Sequence, residues 1–151
     1  MTSASKIACS VVLVTHALCR PATGHGAWAA ILSSESHTKE KTVAGSEADT
    51  TANRMQLTAV LMGVKALLRP VHLTIISDSR YVTNGIASLA TWKSNNWRGA
   101  GRKKIANVEL WEALEACITQ HSVLAICSDG QTHPSIAKVP EAARQQLTYA
   151  A

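Results

Sequence analysis

The chain has 151 residues, the length of one ordinary domain, with 46% hydrophobic and 17% charged residues, which is enough to build a core and excludes intrinsic disorder. Its 15 Lys and Arg outnumber 10 Asp and Glu, for a formal charge of +5, and no apolar run approaches the roughly 20 residues of a membrane span. Four scattered cysteines (Cys9, Cys19, Cys117 and Cys127) form no C-x-x-C pair, which argues against a zinc module or disulfide scaffold. They suit a reducing, intracellular compartment, cytoplasmic by default.

Residues 1–151 read as a single domain without repeats or linkers. Lys6 and the run from Ile7 to Val14 imitate a signal peptide faintly, but the run is short and β-branched, and no small-residue cleavage site follows. A buried first strand is the better reading. Pro21, Gly24 and Gly26 mark a turn before a second strand from Ala27 to Leu32, and Gly24-His25-Gly26 is too short for a phosphate loop. A weaker third strand centres on Thr42-Val43-Ala44.

Thr50 or Thr51 can cap a helix running to about Leu68, halted by Pro70, with Leu57, Val60, Leu61, Val64 and Leu68 on one face. Val71 to Ile76 is a fourth strand ending at Ser77-Asp78, with a shorter helix from Ser79 for which Asp78 is a cap by residue type. A helix from about Asn107 to Gln120, a fifth strand from Ser122 to Cys127 and a last helix from Ser135 to Leu147 complete the order. Three consecutive strands suit a meander, and the later alternation suits parallel neighbours, so the sheet is mixed.

No acid lies between Asp78 and Glu109, an interval holding Arg80, Lys93, Arg98, Arg102, Lys103 and Lys104 with Trp92 and Trp97 among them. Clustered cations with aromatics fit a nucleic-acid surface. The alternative is a solvated basic loop whose tryptophans pack on its base. Among other candidates, His16, His25, His72, His121 and His133 with Cys19 and Cys127 have no metal-ligand spacing, and nothing marks a serine or cysteine nucleophile.

Several strings resemble the ribonuclease H family. Thr50-Thr51-Ala52-Asn53-Arg54-Met55-Gln56-Leu57 is similar to its first helix start, Ile76-Ser77-Asp78-Ser79-Arg80-Tyr81-Val82 to its fourth-strand end, and Asn107-Val108-Glu109-Leu110-Trp111 to a later helix. Trp92-Lys93 through Trp97-Arg98 resembles the basic protrusion of bacterial-type members, and Gly24-x-Gly26 before Trp28 to Leu32 resembles the first hairpin. These matches are collinear from about residue 7 to 147. The resemblance implies an α/β ribonuclease H-like fold: a five-stranded mixed sheet, its first three strands an antiparallel meander, with helices on both faces. It also implies cleavage of the RNA strand of an RNA/DNA hybrid by two Mg²⁺ ions on four carboxylates.

Residue by residue, the resemblance retains one of those carboxylates, Asp78. The others align with His16, Gln56 and Pro140, and the family's loop histidine aligns with Gly130. All four positions are expected to converge. Glu109, Glu112 and Glu115 read as one solvated helix face, and only Asp129 and Glu141 are placed to compensate. Two Mg²⁺ ions about 4 Å apart repel by roughly 4 kcal/mol even in water, which one aspartate cannot offset. The expectation is therefore an inactive relative without resident cofactor. It would bind RNA/DNA hybrid or double-stranded RNA through Lys93, Trp97, Arg98, Arg102, Lys103 and Lys104, with Cys19, Asn53 and Asn84 near the minor groove. Ala52 and Ala22, standing where the family has asparagines, weaken direct readout. Two alternatives remain: a protein–protein module in a nucleoprotein assembly, and a weak Mg²⁺- or Mn²⁺-dependent hybrid nuclease in which Asp78, Asp129, Glu141 and His16 form a relocated site. No membrane partner is expected.

Overall fold

A computed structural model describes residues 9–36 and 38–150. Its elements run β1 (Ser10–Arg20), β2 (His25–Ser34), β3 (Glu40–Glu47), α1 (Ala52–Lys65), β4 (His72–Ser77), α2 (Arg80–Ser94), α3 (Val108–Ile118), β5 (Ser122–Cys127) and α4 (Pro134–Ala150). The sheet order is β3-β2-β1-β4-β5. β1 pairs antiparallel with β2 and parallel with β4, and β4 pairs parallel with β5. The mixed sheet expected from the element order is the one observed. Among the described residues no helix is long and apolar enough to cross a membrane.

Period-two alternation splits the core into two layers. Leu13 on β1 joins Leu57, Val60 and Val64 of α1 with Val82, Leu89, Trp111 and Leu114 of α2 and α3. Val14, the next residue, faces the other way, onto Val139 and Ala143 of α4 together with Ala29, Ile31 and Ile76. Three helices thus cover one face and α4 the other. Each fully buried leucine or valine contributes roughly 1.5–3 kcal/mol against exposure.

The elements depart from the sequence reading in informative ways. β1 does not end at Val14; its pairing with β2 continues to Arg20↔His25, carrying polar His16 and Cys19 along a regular ladder. Ile7 and Ala8, expected in this strand, lie outside the described residues. Gly24 alone of the two turn glycines takes the left-handed conformation (φ 72°), while Gly26 is already in β2. α1 stops at Lys65, three residues before Leu68, which is 93% exposed. Hydrophobic periodicity overran because Leu68 continues the spacing but has no surface to pack on. α2, expected to be short, has 15 residues and reaches past Trp92. Asn107 precedes α3 in the left-handed region (φ 56°), which asparagine tolerates.

Candidate functional site

The middle of β1, the N-terminal part of α1 and the end of β4 supply the polar cluster. β1 and β4 are parallel neighbours, with Thr15 opposite Ser77, so the next residues on each, His16 and Asp78, emerge side by side. His16 Nδ1 lies 2.9 Å from Asp78 Oδ2. From α1, Gln56 Nε2 donates to Asp78 Oδ1 at 3.2 Å. Asp78 is free for both contacts because it does not cap α2: the Ser79 hydroxyl accepts from Val82 N–H instead. Thr51 likewise caps α1 through Arg54 N–H and fixes the helix that presents Gln56.

The electrostatics favour an anionic Asp78. The hydrogen bond from His16 holds its carboxyl below the ordinary aspartate range; partial burial opposes this, and the charge of His16 and the Gln56 amide add to the lowering. The Asp78 side chain is 41% exposed and that of His16 22%, so the pair is reachable from solvent. Gln56 Oε1 is buried with no hydrogen-bond partner. That orphaned oxygen sits on the amide that already touches Asp78, and a half-turn of the amide would exchange it with Nε2. Among the described residues no three His, Cys, Asp or Glu side chains group as a metal site, so an ion held here draws on an amide oxygen as well.

None of the remaining expected members hydrogen-bonds to Asp78 among the described residues. Pro140 is enclosed within α4, beyond its first turn, and offers neither a carboxylate nor an N–H. Glu141 turns to Arg144 on its own helix, with Arg144 Nε donating at 3.0 Å, and makes no bond to Asp78. Asp129 is exposed in the turn after β5. Gly130 is exposed with φ 79°, whereas His133 anchors the start of α4, accepting from Ser135 N–H at 3.1 Å and lying 3.3 Å from the Ser33 hydroxyl. Of the acids of α3, Glu109 and Glu112 are exposed, Glu109 meeting Arg54 at 3.5 Å, whereas Glu115 is largely covered and meets Lys93 at 3.3 Å. The Glu109–Arg54 and Glu115–Lys93 pairs join elements far apart in the chain and so are not legible in sequence order, whereas Glu141–Arg144 is local.

The basic segment divides into a packed base and an exposed rim. Trp92 meets Trp111 edge to face at 5.3 Å, and Trp111 Nε1 donates to the Tyr81 hydroxyl, which also accepts from Asn107 Nδ2. Trp97 is half-buried against the same core despite a left-handed backbone (φ 62°). The expected alternative, tryptophans packing on the base of the loop, therefore describes the aromatic part. Arg98, Arg102, Lys103 and Lys104 are exposed and have no acidic partner among the described residues, while Lys93 is drawn to Glu115. Arg98 and Arg102 border an open cleft of about 810 Å³ with Asn95 and Asn96. Asn53 and Asn84 are exposed, and the half-buried Cys19 thiol donates to Thr50 O at 3.6 Å.

Comparison with known proteins places this geometry in context. A family model described as RNase H matches residues 9–133. A protein named Ribonuclease H from Hydrogenovibrio crunogenus is 42% identical over 139 residues, spanning 91% of this chain and 94% of that protein. Another of that name from Bordetella pertussis is 43% identical over 114 residues, or 75% of this chain and 72% of that one. In backbone the chain is similar to the crystal structure of LC9-RNase H1, a type 1 RNase H with the type 2 active-site motif, with a TM-score of 0.78 and 20% identity over 95% of this chain and 74% of that one. The expectation of a catalytically inactive relative is corrected by these matches: the proteins that share over two-fifths of the aligned sequence carry the name of the nuclease. The electrostatic reasoning behind that expectation concerned two ions facing one carboxylate and does not extend to a single ion.

Proposed function

Since the chain belongs to the ribonuclease H family, we propose that it is a metal-dependent endonuclease cutting the RNA strand of an RNA/DNA hybrid at the His16–Asp78–Gln56 cluster. The observation that carries this reading is the convergence of His16, from the middle of β1, and Gln56, from the N-terminal part of α1, on the partly exposed carboxylate of Asp78 just after β4. The donor set fits a divalent cation: an anionic carboxylate, a buried amide oxygen without a partner and a ring nitrogen. A divalent ion bound there supplies an activated water and offsets charge on the scissile phosphate. Asp78 contributes the full negative charge. His16, within hydrogen-bond reach, fixes the orientation of that carboxylate, and Gln56 braces its other oxygen.

Substrate binding uses a second region. Arg98, Arg102, Lys103 and Lys104 attract backbone phosphates, which positions a duplex without reading its sequence. Asn53 and Asn84 are exposed polar groups suited to the 2′-hydroxyls and base edges of a minor groove. The reaction is tested by incubating the full chain with an end-labelled hybrid in millimolar Mg²⁺ or Mn²⁺. Cleavage is expected in the RNA strand only, and Asp78→Asn removes it. Absence of cleavage above buffer with both ions ends this reading.

A further inference from the structure

His16 stands where the resemblance places a carboxylate, beside Asp78. Deepening the reading above, and resting on it for the position of the site, we propose that His16, Asp78 and Gln56 form a site for a single divalent transition-metal ion, held in preference to Mg²⁺. Three observations lead there. His16 Nδ1 and Asp78 Oδ2, hydrogen-bonded at 2.9 Å, stand close to the spacing of two adjacent ligands on one octahedral ion, about 3 Å for bonds of about 2.1 Å, so that an ion can take the place of the shared proton. Gln56 Oε1 is a buried oxygen without a partner, on a side chain 3.2 Å from the other Asp78 oxygen. The cluster holds one carboxylate, and neither Glu141 nor Asp129 bonds to it, so its charge suits one ion rather than two.

Ligand type then sets the preference. Mg²⁺ is a hard ion that takes oxygen ligands and gives up its water reluctantly, so a ring nitrogen adds little to its binding. Mn²⁺ and Co²⁺ accept imidazole readily, and their affinity for mixed nitrogen and oxygen sites exceeds that of Mg²⁺. The neutral amide of Gln56 completes a weak site that depends on that nitrogen.

The probe is Mn²⁺ alone, titrated into the full chain and followed by loss of the free-ion electron paramagnetic resonance signal, with Mg²⁺ added as competitor. One Mn²⁺ per chain is expected, displaced only by an excess of Mg²⁺ of about tenfold or more. His16→Ala should weaken Mn²⁺ binding about tenfold and abolish the preference, and His16→Asp should reverse it toward Mg²⁺. His16 is part-exposed, so neither change empties the core; a circular dichroism melt confirms folding, and Asp78→Asn serves as the variant that loses both ions. Equal competition by Mg²⁺ in the parent, or a preference that survives His16→Ala, overturns the proposal. Cleavage of the hybrid with no such preference removes this inference alone, whereas selective Mn²⁺ binding without cleavage removes the nuclease reading alone.

Discussion

At position 56 one atom separates an amide from a carboxylate. In Gln56→Glu the N–H donated to Asp78 disappears, and two carboxylates stand where a 3.2 Å hydrogen bond was. The metal-free variant should melt below the parent, and Mg²⁺ should raise its melting temperature more than that of the parent, because binding to the folded state stabilises by mass action. A thermal melt with and without millimolar Mg²⁺ decides it; equal Mg²⁺ responses count against a site at Asp78. His121 gives a residue-scale test of a different kind. Burial lowers its pKa from 6.5, and its Nδ1 accepts from Val71 N–H at 3.1 Å, so the folded chain favours the neutral ring. The unfolded chain binds the proton more readily. The stabilisation is therefore complete above the unfolded value of about 6.5 and declines as pH falls through it toward the lower folded value. Urea midpoints at pH 7.5, 6.5 and 5.5 should fall in that order, and His121→Gln should flatten the series.

At the scale of elements, α2 packs closely on α3 at Gly85. A Cβ built on Gly85 would lie 2.1 Å from Cη2 of Trp111. Trp111 cannot swing aside, since its ring is bonded to the Tyr81 hydroxyl and packed on Trp92. Gly85→Ala gains up to about 1 kcal/mol of helix propensity but overpacks a fixed ring, which costs about 1–3 kcal/mol or more. Denaturant unfolding should show a net loss; a stabilised variant would mean that the helices part easily. The contact also explains which features were legible in the sequence. Local signals placed α1, where Thr51 caps and the apolar residues share one face, whereas at α2 the expected cap Asp78 gives way to Ser79. The length of α2 was not legible, since its C-terminal half is held by Leu89 in the core and by Trp92 against a tryptophan 19 positions later. Similarly, the sequence motifs located His16, Gln56 and Asp78, but their hydrogen bonds depend on strand register, and Glu141 is lost to Arg144 one turn away.

On the scale of the whole molecule, the proposed function has a basic rim without acidic partners among the described residues and the His16–Asp78–Gln56 cluster act on one duplex by different physics. Three phosphate contacts would give hybrid binding a log–log salt slope of about −2 to −3. Replacing Arg98 and Arg102 by alanine should reduce the slope by about 2 and weaken binding, with little change in melting temperature because both side chains are exposed and without acidic partners among the described residues. Fluorescence anisotropy at several salt concentrations measures this, and an unchanged slope would place the duplex elsewhere.

The parallel pairing of β1 with β4 has a kinetic consequence. His16 and Asp78 are 62 positions apart, and joining them requires closing a loop that contains β2, β3 and α1, an entropic cost of about 3–4 kcal/mol. Such long-range pairing forms slowly, so the His16–Asp78 contact is expected to assemble late in folding, after the local hairpins and α1. An interaction absent from the folding transition state leaves the folding rate almost unchanged and slows escape from the native state. Bound metal should therefore act as a latch: in a chevron plot Mn²⁺ would lower the unfolding arm and leave the refolding arm in place, extending the lifetime of the folded chain without hastening its formation.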